Sequence, residues 1–138
     1  MAGYSGTPLP QKLGIKKGMR IIAIGVPKNY RKLLGKLPDD VEFSNKPNVG
    51  AQFIHFFVTR RNDLEKQLPR LRKTLANNGT LWISWPKKTA GVATDMNEDV
   101  VRTVALPLGL VDVKVCAVDE TWSGLKLMIR REQRKSAR

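Results

Sequence analysis

Three short runs of nearly unbroken apolar residues set the strongest limit on what this chain can fold into: Met19 to Val26 (MRIIAIGV), Phe53 to Val58 (FIHFFV) and Thr80 to Trp85 (TLWISW). Each is too short for a buried helix and rich in β-branched or aromatic residues, the pattern of a strand covered on both faces. Strands of that kind belong to parallel sheets whose connections lay helices over the faces. The helical patterns fall where that scheme needs them. Tyr30 to Leu34 reads as a short helix. After the second run, Leu64, Leu68, Leu71 and Leu75 recur on one helical stripe, with Asn62 and Glu65 in a capping-box arrangement, Pro69 predicting a kink, and Asn78-Gly79 as the expected stop. Asp95 and Glu98 repeat the cap signature before a helix that should end near Leu106, ahead of Pro107 and Gly109. Val41 to Phe43 is a weak strand candidate. Leu110 to Val118 and Leu125 to Arg130 alternate, and the short link between them predicts an antiparallel hairpin.

These elements define a single α/β domain over residues 19–131, an open and mostly parallel sheet with a C-terminal antiparallel hairpin. Residues 1–18, with Gly3, Gly6, Pro8, Pro10, Gly14 and Gly18, read as an irregular lead-in, and residues 132–138 as a flexible basic tail. One cysteine, Cys116, and one histidine, His55, exclude an intramolecular disulfide and a structural zinc site. No apolar run reaches the length of a membrane span and the first 20 residues hold no signal-peptide core, so a cytoplasmic, non-membrane protein is expected.

Charge narrows the choice of partner. Twenty-five Lys and Arg against 12 Asp and Glu leave a net charge of +13. Residues 1–36 carry Lys12, Lys16, Lys17, Arg20, Lys28, Arg31, Lys32 and Lys36 with no acid, and the C-terminal residues from Arg130 are basic as well. A field of this sign draws anionic metabolites, nucleotides or nucleic acid, although a solvated lysine-rich surface has the same composition.

The layout resembles the S-adenosylmethionine-dependent methyltransferases, a Rossmann-like fold with helices on both faces of the sheet. The segment from Phe53 through the leucine-striped helix to Trp85 is similar to that superfamily's fourth strand, following helix and fifth strand. More specifically, YSGTPL (Tyr4 to Leu9), SWPKK (Ser84 to Lys88), GVATD (Gly91 to Asp95) and ALPLGLVDVKVCAVDETWSGLK (Ala105 to Lys126) resemble a small bacterial family, classed as a domain of unknown function and described as methyltransferase-like. The resemblance implies S-adenosylmethionine as the cofactor, but the motif that would hold it is not intact. Where the superfamily places an acid and a glycine-rich turn after the first strand, this chain has Ala23-Ile24-Gly25-Val26-Pro27, with only Gly25 retained. Glu42 is the candidate for the ribose-binding acid.

Ligands of open α/β sheets bind outside the carboxyl ends of the strands. Three loops are expected there, and they carry Gly25, Lys28, Arg60, Arg61, Lys87, Lys88, Thr94 and Asp95. Together they suggest a site for an anion or a nucleotide phosphate. In the competing reading the cations are solvated and Asp95 is the N-cap of the helix that follows it. His55 lies mid-strand and reads as a core histidine, Cys116 as a small buried apolar residue. Trp122, in the turn Asp119 to Gly124, either stacks on a ligand or covers the end of the core, and paired Asp119 and Glu120 offer acid and base in a turn where adjacent side chains diverge. Tyr4, Ser5 and Gly6 form either a lid or a tether. The main reading is a non-catalytic methyltransferase-like module that binds an anionic or nucleotide-like ligand, without a metal. Its alternatives are a nucleic-acid-associated basic protein and a methyltransferase with a degenerate cofactor motif. Homodimerisation through an edge strand is compatible with either.

Overall fold

The computed structural model describes residues 6–134. In chain order the elements are α1 (Leu9–Leu13), β1 (Arg20–Ile24), α2 (Tyr30–Leu34), β2 (Glu42–Ser44), β3 (Ala51–Phe57), α3 (Arg61–Thr74), β4 (Leu75–Pro86), α4 (Glu98–Ala105), β5 (Leu110–Ala117) and β6 (Trp122–Ile129). They build one six-stranded sheet in the order β2-β1-β3-β4-β6-β5. The first four strands are mutually parallel. β6 runs antiparallel to β4 and β5 antiparallel to β6, which makes the expected C-terminal hairpin.

Strand alternation sends side chains into two separate cores. Ile22, Ile54, Phe56, Leu81 and Ile83 meet Leu64, Leu68 and Leu71 of α3 and Val101 and Ala105 of α4 on one face. Ile21, Phe53, Phe57 and Trp82 meet Leu13, Tyr30 and Leu34 on the other, under α1 and α2. The expected apolar runs are therefore buried on both sides, for the reason their composition gives.

Several boundaries differ from the sequence expectation, each for a local cause. Part of the expected irregular lead-in is helical: α1 ends at Gly14 in the left-handed conformation, and Trp82 Nε1 donates to the Leu13 carbonyl at 2.9 Å, so Leu13 and Ile15 enter the core. α3 passes through Pro69 as one helix and stops at Thr74, not at Asn78-Gly79. Leu75 is already extended and pairs with Ala51, after which the register slips. Gly79 sits in that irregularity, buried, where a Cβ would lie 2.7 Å from the Ala51 carbonyl oxygen. The glycine is required by a close backbone approach inside a strand, which sequence alone does not distinguish from a helix stop. Trp122 opens β6 instead of lying in the turn. Arg131–Gln133, where the domain was expected to give way to the tail, form a 3-10 turn, and Arg134 Nε donates to the Ile129 carbonyl. β5 is the outer strand of the hairpin; its pairing with β6 is broken between Asp112 and Lys114, and Val113 and Val115 stay exposed. Tyr4 and Ser5 of the lid-or-tether segment lie outside the described residues.

Candidate functional site

The chain goes from β1 through α2 to β2 on one side, then returns through residues 45–50 to β3 on the opposite side of β1. The carboxyl ends of β1 and β3 therefore diverge, and a crevice opens at such a switch point. A cleft of about 640 Å³ lies there, within the size range of small-ligand sites. Ile24, Gly25 and Thr59 form its floor, Asp63, Gln67 and Arg70 of α3 one wall, Asn45 and Pro47 another, and Trp122 closes an end.

Gly25 has a φ of +66°, and a Cβ on it would lie 2.6 Å from the Phe57 carbonyl oxygen. Only glycine lets β1 leave the sheet here with its backbone against the end of β3. Trp122 is held edge-on to Phe57, ring centroids 5.0 Å apart, and the Trp122 and Thr121 amides both donate to Asp119 Oδ1, at 2.7 and 2.9 Å. Asp119 is thus spent on shaping the turn.

Of the residues singled out from sequence, Gly25 and Trp122 line the cleft. Thr94 and Asp95 bind its neighbouring loop: Thr94 Oγ1 donates to the Thr59 carbonyl, and Asp95 Oδ1 accepts from the Arg61 amide at 2.7 Å. Asp95 is therefore a cap, but of α3 and not of α4. The expected Asn62 cap is replaced by this bond from 34 positions away, and Glu65 pairs with Arg61 at 3.1 Å instead of closing a capping box. Asn97 caps α4, its Oδ1 accepting from the Val100 amide at 2.8 Å. The two caps separate because residues 94–95 run against the start of α3 before the chain turns into α4.

Arg60 is the exposed N-cap residue of α3. The Lys87 amide donates to Thr121, and Lys88 begins an exposed 3-10 turn. Lys28 lies on an adjoining cavity under α2, which meets the cleft at Asn45. Glu42 stands at the amino end of β2, opposite Arg20 at 3.6 Å. It is therefore at the wrong end of the sheet for a ribose; the carboxyl end of β2 carries Ser44 and Asn45. Asn45, Asp63, Gln67 and Arg70 were missed because each is an unremarkable polar residue in sequence. For the α3 residues a signal existed: they recur at helical spacing along one flank of the leucine stripe, each just ahead of Leu64, Leu68 or Leu71.

His55 is fully buried, as expected, but not in an apolar setting. Its Nδ1 lies 2.9 Å from the Tyr30 hydroxyl and its Nε2 2.8 Å from Ser84 Oγ, both partners being buried. Burial pushes the imidazole pKa down to about 3 and the Tyr30 hydroxyl upward. The ring is neutral, and its one N–H and one lone pair serve the two hydroxyls in either tautomer. With no exposure, this chain of three groups joins α2, β3 and β4 and does not face the cleft. Cys116 is only partly buried, against the expectation, and packs on the core under α1 and α2; burial raises its thiol pKa, with Lys12 and Lys114 pulling the other way. Among the described residues no group of acidic, His or Cys side chains could hold a metal, and no helix is long and apolar enough to cross a membrane.

The fold is a Rossmann-like one, similar to that of solved methyltransferases. Similar solved structures include a protein from Sulfolobus solfataricus assigned to the type 11 methyltransferases (TM-score 0.60, 16% identity, 93% of each chain covered) and a SAM-dependent methyltransferase from Aquifex aeolicus (TM-score 0.58, 18% identity, 88% of this chain and 87% of that one). Another is DhpI, solved as its SAH complex (TM-score 0.60, 12% identity, 90% and 83% covered). At these identities the likeness is one of fold. No protein-family model and no curated protein matches the chain.

Proposed function

We propose that this protein is a small S-adenosylmethionine-dependent methyltransferase whose cofactor turn departs from the usual motif, and that the cleft between β1 and β3 is its cofactor site. The observation that carries the reading is the position of that cleft, at the switch point of a sheet shared with methyltransferases. The four stretches that resemble the bacterial methyltransferase-like family agree with it.

The donor set fits an adenosyl nucleoside. Asp63 and Asn45 can take the ribose hydroxyls in place of the missing acid on β2, Trp122 and Pro47 offer apolar surface to the purine, and Arg70 can pair with the amino-acid carboxylate. Gly25 keeps the floor open. Pro27 contributes no N–H, so orientation falls to the α3 side chains. The cofactor, when bound, supplies a methyl group on a sulfonium, a good leaving group. Among the described residues no buried acid or base lines the cleft, and the contribution we assign to the lining side chains is positioning and exclusion of water.

The test is thermal unfolding at fixed salt with S-adenosylmethionine, S-adenosylhomocysteine, nucleotides or phosphate. An adenosyl ligand at ~100 times its Kd adds about 2.7 kcal/mol, and the midpoint should rise by a few degrees. Arg70→Ala with Asp63→Ala should abolish the rise. No rise at millimolar adenosyl ligand overturns the reading. A rise with phosphate alone, lost in Lys87→Ala with Lys88→Ala, would instead support a non-catalytic anion-binding module.

A further inference from the structure

The positive charge is unevenly placed. On α3 and α4 acids alternate with the cations, and some pair: Arg61 with Glu65, and Arg102 with Glu98, Asp99 and Asp112, while Lys66, Arg70 and Lys73 are exposed without an ion pair among the described residues. Around α1 and α2, Lys16, Lys17, Lys28, Arg31, Lys32 and Lys36 are exposed and, among the described residues, take no ion pair. Tyr30 and Leu34 turn inward and anchor α2 to the sheet, so Arg31 and Lys32 project outward. The acid nearest Lys32 along its cavity, Asp119, is already bonded to two amides.

A second observation distinguishes this surface from a plain cationic patch. The Arg31 guanidinium carbon lies over the Phe43 ring, 3.7 Å from its centroid. Both residues line a cavity of about 620 Å³ with Lys28, Pro27 and Asn45. Asn45 also borders the cleft between β1 and β3, so the two cavities adjoin. A guanidinium backed by an aromatic ring is a platform on which an unpaired nucleobase stacks, while flanking lysines take the phosphates. A base held in a duplex exposes no such face.

We propose that the α1–α2 face binds single-stranded nucleic acid, with a base stacked on Arg31 and the backbone along Lys28 and Lys32. The base is thereby delivered toward the adjoining cleft as methyl acceptor, a step that rests on the methyltransferase reading above. In that step a base nitrogen would bond to the sulfonium methyl as the methyl–sulfur bond breaks, S-adenosylhomocysteine leaves as the neutral thioether, and the acceptor's proton passes to water.

Fluorescence anisotropy with a short labelled single-stranded oligonucleotide tests the surface. The triple variant Lys28→Ala, Arg31→Ala, Lys32→Ala should bind at least about tenfold more weakly and lose about 2 from the log-log salt slope. A variant with equal charge loss elsewhere, Lys66→Ala, Lys73→Ala, Arg131→Ala, should change far less. Arg31→Lys keeps the charge but not the plane; it should lower affinity about fivefold or more with the slope retained. All these side chains are exposed, and unchanged melting temperatures verify folding. Equal losses in the two triple variants, an unaffected Arg31→Lys, or duplex bound as tightly as single strand would each overturn the proposal. Titration of the same variants with S-adenosylhomocysteine separates the two readings. Nucleic-acid binding without adenosyl binding keeps the surface and discards the acceptor role; the reverse discards the surface and leaves the cofactor site standing.

Discussion

The two faces of the sheet are stabilised by different means. Under α3 and α4 the core is mostly aliphatic, with Phe56 and Trp85 among Ile, Leu and Val side chains: a 14-residue helix and an eight-residue helix lay apolar stripes on it and carry ion pairs on the outside. Under α1 and α2 the helices are five residues each, too short to be stable alone. They are held by aromatic packing and a few long-range polar contacts: Tyr30 to His55, His55 to Ser84, Trp82 to Leu13. One face thus draws its stability from area and the other from a small number of satisfied buried groups. Area loss is graded, whereas a buried network fails when one member is missing.

The largest effect should come from breaking that network. His55→Leu keeps most of the volume but strands the Tyr30 and Ser84 hydroxyls, at roughly 1–3 kcal/mol each, hence about 2–6 kcal/mol by chemical denaturation. The triple replacement Tyr30→Phe, His55→Leu, Ser84→Ala should recover much of the loss, since no polar group then lacks a partner. If the triple variant is as unstable as His55→Leu, the network is not what holds this face. On the other face Leu68→Ala, at a fully buried position of α3, should cost about 2–5 kcal/mol with no rescue by a polar neighbour.

A pH titration sharpens the contrast. Folding holds the His55 pKa near 3, whereas the unfolded chain takes the proton near 6.5. Below that pH the unfolded state binds more protons, so stability falls on acidification by up to about 1.4 kcal/mol per unit and is level in this respect above about pH 7. The triple apolar variant should lose this slope, and Leu68→Ala should keep it. The smallest effect is expected at Asp95→Ala, which uncaps α3 for about 0.5–2 kcal/mol, with hydrogen exchange rising first at the Arg61 amide.

The same contrast explains what the sequence reveals. The face under α3 and α4 is periodic: the stripe Leu64, Leu68, Leu71 and the runs FIHFFV and TLWISW announce strand, helix and strand without any contact being known. On the α1–α2 face Tyr30–Leu34 was legible as a short helix, but Leu9–Leu13 has no period to read and is tied down by a hydrogen bond from distant Trp82. In the cleft, Gly25 and Trp122 stand out chemically and were legible. Asn45, Asp63 and Arg70 come to line one cleft only because β2 and β3 lie on opposite sides of β1. Asp95 shows how far a local rule reaches: its capping chemistry was legible, but which helix it caps depends on a contact between distant segments.

The broken pairing between Asp112 and Lys114 has a consequence for the company this molecule keeps. An eight-residue outer strand bearing Val113 and Val115 in the open is otherwise a template on which a neighbouring chain could extend the sheet and seed an aggregate. The irregularity divides that edge into two stretches, and Lys114 beside the break adds the cost of burying a charge to any chain that would bridge them. A break and a charge are thus set into the border at which a valine-rich sheet would otherwise be most open to extension.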